Sequence, residues 1–417
     1  MPSPPKRRAL LGVALALATF ALMVAPVSAQ EMDAEADPTA SDAARWAQLA
    51  DRIVNISANV GPGDAVVIAG GGHNVPLMEQ IAIEAAKAGG QPLMILTTDR
   101  LERSVFTEVP MEHLGQEAKL VLDLIKNADV WIGLPGVEDP EAVYGDVPEE
   151  RFAEASKANQ AFQEVLNETP LRGVFIGYPT ATQARINRIP LADLEAMHWA
   201  AVDADYDAIS RQGHRIQQLL RSADQVRVTT PAGTDLSFTV GDRPVFVDDG
   251  IVTTEDAQSD LIWDRTAGLP GGGVFFAPVE TSVEGRVVVP RSRCRFAPLT
   301  DVRFDVVAGE ARNLSATEGQ ACFEGEMEPY AGPKMRVGSI SIGLNPAIQV
   351  REEGGADYRP GDAAGMVTVS LGQNQLLGGE NDTEGSFYFP LVGATIEVDG
   401  QTIVRDGQVT VEAGPRS

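Results

Sequence analysis

A change of hydrophobic period near residue 223 restricts the fold of this chain more than any other feature of its sequence. Before that point, short apolar runs at 65–69, 92–97, 130–134 and 173–177 alternate with stretches whose apolar residues recur at helical spacing. The first of these stretches follows a candidate N-cap at Ser41 and places Trp46, Leu49, Ile53 and Ile56 on one face, before the turn Gly61-Pro62-Gly63-Asp64. Strand, helix and strand in repeated order predict a mostly parallel sheet. A long helical stretch from Leu191 to about Ser222, with Leu194, Met197, Ala201 and Val202 on one face, closes this part. Beyond it the period is two: Val226, Val228 and Thr230 are answered across a Pro-Ala-Gly turn by Leu236, Phe238 and Val240. The same alternation returns at Val302, Phe304 and Val306, and at Ile396 and Val398 before Asp399-Gly400. The predicted architecture is an α/β N-terminal domain at 41–222 with a mostly parallel sheet, then a β-rich, α+β C-terminal domain at 223–417.

The first 40 residues belong to neither part. Lys6, Arg7 and Arg8 precede an apolar run to Val27 and the small residues Ser28-Ala29, the pattern of a secretory signal peptide at 1–29. An uncleaved membrane anchor is the rival reading, since the run is just long enough to span a bilayer. Residues 30–40 are acidic and poor in large apolar groups, and read as a flexible leader. Cleavage predicts an exported protein, periplasmic or extracellular, with no membrane partner afterwards. The net charge is −26, and −29 without the three basic residues of the signal. That sign excludes nucleic acid as a natural partner and describes a well-solvated surface. In an exported chain the two cysteines, Cys294 and Cys322, predict one disulfide, with a pair of buried free thiols as the alternative.

Most motif-like strings are weak. Gly70-Gly71-Gly72-His73 lies between a strand and a helix, but it has Val75 where a dinucleotide fingerprint needs glycine and no Walker lysine follows, so it reads as a tight turn. The string GSISIG carries Ser339 where a nucleophile elbow needs its first glycine, so no serine nucleophile is nominated. His73 reads as a solvated loop residue, and His198 and His214 as partly exposed helix residues. Acidic runs at Glu324, Glu326 and Glu328 and at Glu380, Asp382 and Glu384 read as solvated loops; oxygen-only clusters of this kind suit Ca²⁺ better than a water-activating zinc.

Four strings, LPGGGVFFAP at 269–278, GSISIGLNPAI at 338–348, GMVTVSLG at 365–372 and GGENDT at 378–383, occur in the order and spacing of the aminopeptidase T/S metallopeptidases, and TTPAGTDLSFTV, EGRVVV and VGPGDAVVIA add to the match. The chain resembles that family over most of its mature length. The resemblance implies two glutamates, a histidine and a His-x-Asp as ligands of Zn, Co or Mn; the positions matching them here are Gly273, Ser339, Thr368, Ser386 and Tyr388. The related ring-opening dioxygenases of dihydroxypyridines place iron on the last three of these. The four histidines of the chain are His73, His113, His198 and His214, so no shift of register supplies an imidazole after residue 214. No catalytic residue, metal or cofactor is therefore predicted. The resemblance also implies a homodimer.

These residues predict a non-catalytic relative in which the five positions converge on a neutral, hydroxyl-lined cleft. Phe275, Phe276 and Phe387 would supply apolar walls for a small polar or aromatic ligand or a peptide. Three alternatives stay open: a cleft filled by side chains, an active hydrolase using other ligands, and a structural or surface-interaction protein.

Overall fold

The computed structural model describes residues 40–414 except 295–296, 329, 351–359 and 384. The segment expected to be a signal peptide, nearly all of the expected leader and Glu384 lie outside the described residues. Three sheets organise the chain. The first is wholly parallel, with spatial order Gln91–Thr97, Ala65–Gly71, Val130–Gly133, Arg172–Ile176 and Thr266–Leu269. Each strand is short and apolar, and the first of them in sequence is buried alternately on two sides. Val66 and Ile68 join the main core with the helix Val75–Lys87, whereas Val67 packs with Ile125, Trp131 and Leu166 on the opposite face. A sheet covered on both faces is the expected home of parallel strands.

The fifth parallel strand, Thr266–Leu269, comes from beyond the change of period, so the α/β layer takes its last strand from the later half of the sequence. The long helical stretch divides into Leu191–Val202 and Tyr206–Arg221, because the Asp205 carboxylate caps the second helix by accepting from the Ala208 N–H.

The remaining strands form two antiparallel sheets. An eight-stranded sheet contains the predicted hairpin, Val226–Thr229 against Asp235–Phe238, and the long pair Glu284–Cys294 and Ala297–Val307. A five-stranded sheet has the order Ser386–Leu391, Val367–Gly372, Val337–Gly343, Gly273–Phe276 and Val245–Asp248. One continuous core joins all three sheets, from Leu49 through Val174, Ile216 and Phe276 to Val404. The helix Tyr206–Arg221 is the spacer between layers. Its Gly213 lies so close to Val247 and Leu344 that an added Cβ would meet the valine at 2.5 Å.

Cys294, at the end of a long strand, and Cys322, on the helix Gln320–Met327, are disulfide-bonded with their Cα atoms 6.0 Å apart. Glu324, Glu326 and Glu328 accordingly lie on or at the end of a helix, not in a loop. Phe323 and Met327 turn inward there and hold that helix to the core.

Candidate functional site

The register of the five-stranded sheet decides where the five matched positions lie. Thr368 stands opposite Ser341 and Pro390, Ser370 opposite Tyr388, and Gly372 opposite Ser386. On the other side of the central strand, Ser341 faces Phe275 and Gly343 faces Gly273, while Phe275 and Gly273 in turn face Phe246 and Asp248. Directly paired residues share a face. The Ser339 N–H donates to Ser370 Oγ at 2.8 Å, and the two hydroxyl oxygens are also 2.8 Å apart, at the point where the register shifts between Val337 and Ile340. Gly273, Ser339, Thr368, Ser386 and Tyr388 therefore share one face of one sheet, although more than a hundred residues separate the first from the last.

The alternate residues Ile340, Ile342, Val367, Val369, Phe387 and Phe389 turn to the opposite face, into the main core. This separates the three expected wall residues. Phe275 stays with the hydroxyls, whereas Phe276 and Phe387 are core residues, because neighbouring positions in a strand point to opposite sides. Phe275 instead stacks on Phe246 at 5.4 Å and meets the edge of Trp263 at 5.3 Å. The face thus passes from a row of hydroxyls to an aromatic patch within two strands.

Two polar atoms on it lack partners among the described residues: the hydroxyl of Thr368, a residue 8% exposed, and the buried indole N–H of Trp263. Tyr388 is 46% exposed. Packing around its hydroxyl still pushes the phenol pKa up, and a hydrogen bond with Ser386 partly opposes the rise. Ser341, Ser370, Phe246 and Trp263 were not singled out from sequence. Ser341 and Ser370 sit in period-two strings, GSISIG and VTVSLG, where counting by two from Ser339 and Thr368 finds them.

The frame around this face is held by buried polar contacts. The Glu280 carboxylate, 3% exposed, accepts from the Asn374 amide at 2.9 Å, the Glu380 N–H at 2.7 Å and Arg243 Nη2 at 2.8 Å. Burial works to raise its pKa, but the backbone donors, Asn374 and Arg243 together bring it below the ordinary glutamate value. Asn381 donates to Val337 O and Gly372 O, tying the central strands to the loop that follows them. Asn345 donates to Ala201 O and Gly271 O, and the Tyr206 hydroxyl accepts from the Gly271 N–H, fixing the Gly-rich turn to the helical layer. Gly272 in that turn adopts φ +123°, which glycine alone takes without strain.

The other nominated residues lie elsewhere. His198 is fully buried rather than partly exposed, its ring edge-on to Trp199 at 4.5 Å, because the helix carrying it turns that side inward. His73 is half-buried, not a freely solvated loop residue. Burial lowers its pKa, with Asp99 partly opposing, and its ring meets Tyr178 edge-on. His214 is exposed, and Glu380 and Asp382 are solvated. Among the described residues, one group brings three His, Cys or acidic ligand atoms within 4.8 Å of one another: Cys294, Cys322 and Glu326. Its two sulfurs are bonded to each other.

A catalytic divalent metal of the zinc class needs carboxylate, imidazole or thiolate ligands. A glycine, two serines, a threonine and a tyrosine do not fit it.

Comparison with known proteins places this architecture. The chain is similar in structure to wild-type AmpT from Thermus thermophilus, at 18% identity and TM-score 0.69, covering 88% of this chain and 99% of that one. It is also similar to 2,5-dihydroxypyridine dioxygenase from Pseudomonas putida KT2440, at 16% identity and TM-score 0.60, covering 89% and 98%. At these identities the likeness is one of fold. No curated protein sequence matches the chain. A family model for 2,5-dihydroxypyridine 5,6-dioxygenase matches residues 347–411. The model for thermophilic metalloproteases (M29) matches residues 42–351, and the chain belongs to that family.

Proposed function

We propose that this chain is an exported, non-catalytic member of the metalloprotease family that uses the former metal-bearing face to hold a small planar ligand. The observation that carries the reading is the chemistry of one sheet face: the five positions matched to metal ligands share it and none of the five offers a carboxylate or an imidazole, while the Asp248 carboxylate paired beside Gly273 accepts from the Gly250 and Gly268 N–H groups. Four of them carry hydroxyls or a phenol, and the neighbouring strands add Ser341, Ser370 and the Phe246, Phe275 and Trp263 patch. Hydroxyls exchange donor and acceptor roles, and each net hydrogen bond is worth about 0.5–1.5 kcal/mol. An aromatic wall adds apolar burial and stacking, so the favoured ligand is a small aromatic compound with polar substituents.

Loss of the ligands has a physical rationale. Carboxylates crowded without a cation repel one another and are costly to keep ionised in a buried place, so neutral replacements relieve strain. Export follows from the signal pattern at 1–29, and sequencing the N-terminus of secreted material checks it, with Gln30 the expected first residue. The central test is elemental analysis of the purified mature protein together with assays on several aminoacyl substrates. Substoichiometric metal and no turnover are expected. Stoichiometric zinc, cobalt or manganese accompanied by metal-dependent cleavage would replace this reading with that of an active hydrolase.

A further inference from the structure

We propose that the Cys294–Cys322 disulfide closes a latent metal site: once a dithiol reductant breaks the bond, the two thiolates and the Glu326 carboxylate take a thiophilic divalent ion, Zn²⁺ or Cd²⁺. Among the described residues these three are the one group whose His, Cys or acidic ligand atoms all lie within 4.8 Å of one another. They sit at the end of a strand of the eight-stranded sheet, not on the hydroxyl face of the five-stranded one. Glu326 Oε2 is 3.2 Å from Cys294 Sγ. A bonded sulfur carries no hydrogen to donate to that oxygen, so the disulfide itself does not call for a carboxylate at its side.

Local structure supplies the chelate. Cys322 and Glu326 stand four positions apart on the helix Gln320–Met327, a spacing that sets both side chains on one face with Cβ atoms about 5–6 Å apart. Cys294 meets that face from the end of the strand Glu284–Cys294. The two cysteine Cα atoms are 6.0 Å apart. Zn–S bonds of about 2.3 Å in a tetrahedron ask the sulfurs to separate to about 3.8 Å, which side-chain rotation supplies.

The helix does not depend on the bond for its place. Phe323 and Met327 are buried in the main core, Phe323 meets the edge of Phe387 at 4.8 Å, and Gln320 Oε1 accepts from the Ala316 N–H at 3.2 Å. Cys294 is buried while Cys322 and Glu326 are half-buried, so one side stays open for water as a fourth ligand. Charge then favours an ion. Two thiolates beside a carboxylate repel one another and resist deprotonation, whereas a divalent cation offsets them and links strand to helix again. Thiolate ligands select ions of the zinc class over Ca²⁺ or Mg²⁺. The electrons balance by exchange: the dithiol becomes a disulfide, Cys294 and Cys322 gain its two electrons and two protons, and metal binding releases those protons. Protein isolated without reductant keeps the site closed.

The test is a Cd²⁺ titration of the full mature chain, reduced with a dithiol and freed of it by gel filtration without air. Thiolate-to-cadmium charge-transfer absorption is expected to saturate at one ion per chain, and the oxidised chain is expected to show none. Glu326→Gln is expected to weaken binding at least ~tenfold and Cys322→Ser more still, whereas Glu324→Gln, exposed on the same helix, leaves it unchanged. Zn²⁺ is expected to raise the melting temperature of the reduced chain and not that of the oxidised one. Far-UV circular dichroism of the reduced, metal-free chain checks that the fold survives. An unfolded spectrum on reduction, a folded reduced chain without the absorption, or Glu326→Gln binding as tightly as Glu324→Gln would overturn the proposal.

Discussion

Removing the Glu280 carboxylate is the sharpest test of how the candidate site is held. Glu280→Ala leaves three donors behind: Arg243 Nη2, the Asn374 amide, whose residue is fully buried, and the Glu380 N–H. Arg243 keeps a weak contact to Glu380 at 3.8 Å and its bond to Gly378 O, and the Asn374 amide keeps Gly338 O, so the damage is partial. Breaking a buried pair by deleting one partner costs about 3–5 kcal/mol. With about 2 cal/mol/K of unfolding entropy per residue, a chain of this size would lose about 4–6 °C in melting temperature. Glu280→Gln keeps the shape and isolates the charge. Because the folded carboxylate titrates below its unfolded value, it contributes stability above the unfolded pKa of about 4.3 and loses it as pH falls through the lower folded value. The gap between parent and Glu280→Gln should therefore be full at neutral pH and close in acid. Calorimetric scans across that range decide the matter. A gap under ~1 °C at neutral pH, or one that widens as pH falls, would show that the carboxylate is not the clamp.

Four further outcomes follow from the same geometry. Reducing the Cys294–Cys322 bond, which spans 28 positions, should lower unfolding free energy by about 3–4 kcal/mol in a denaturant titration. Gly343→Ala should be among the costliest single changes in the central strand, at least ~2 kcal/mol, because its Cβ would sit 2.2 Å from the Ala363 carbonyl oxygen; a neutral effect in the same titration would contradict the packing. Thr368→Val should raise stability by about 1 kcal/mol, since it deletes a buried hydroxyl with no partner among the described residues, while weakening binding of any aromatic ligand found by calorimetric screening. On the proposed reading, Thr368→His alone should yield no metal-dependent cleavage of aminoacyl substrates, because Gly273, Ser339, Ser386 and Tyr388 offer no carboxylate or imidazole beside it and a metal site needs its ligands together.

The period of the sequence carried the class of fold because each layer is buried on the side its period demands. Alternation at Val226, Val228, Leu236 and Phe238 gives a hairpin since those four side chains all turn into one core. The strand Thr266–Leu269 was not legible: four residues, two of them buried, give too short a signal, and its partner Arg172–Ile176 lies about ninety residues earlier. The same limit explains Asp205, whose capping role divides a helix that continuous periodicity suggests is single. At the site, resemblance supplied the five positions, but only pairing register shows that they share a face. Phe275 and Phe276 are adjacent and equally aromatic, and sequence alone does not say which of them joins the hydroxyls. That depends on the partner strand, since a one-residue slip would exchange their faces.

The restraints that hold the frame lie apart from the five matched positions. The contacts that fix the sheet are made by Glu280, Asn374, Asn381, Asn345 and Tyr206, and each ends on a backbone group, on another of these side chains or, for Glu280, also on Arg243. None of them passes through Gly273, Ser339, Thr368, Ser386 or Tyr388. Changing those five positions therefore alters the chemistry of one face while the strands stay in register, because the restraints satisfy main-chain groups that any sequence on these strands would present. This separation also predicts an asymmetry in tolerance. Substitutions among Ser339, Thr368 and Ser386 that keep side-chain volume should change melting temperature little and ligand binding strongly, whereas Asn345→Ala and Asn381→Ala, which strand carbonyls at buried strand ends, should each cost about 1–3 kcal/mol. Paired thermal melts and ligand titrations across the two sets give the answer. If the hydroxyl variants prove the more destabilising set, the face is part of the scaffold and the division between frame and site is wrong.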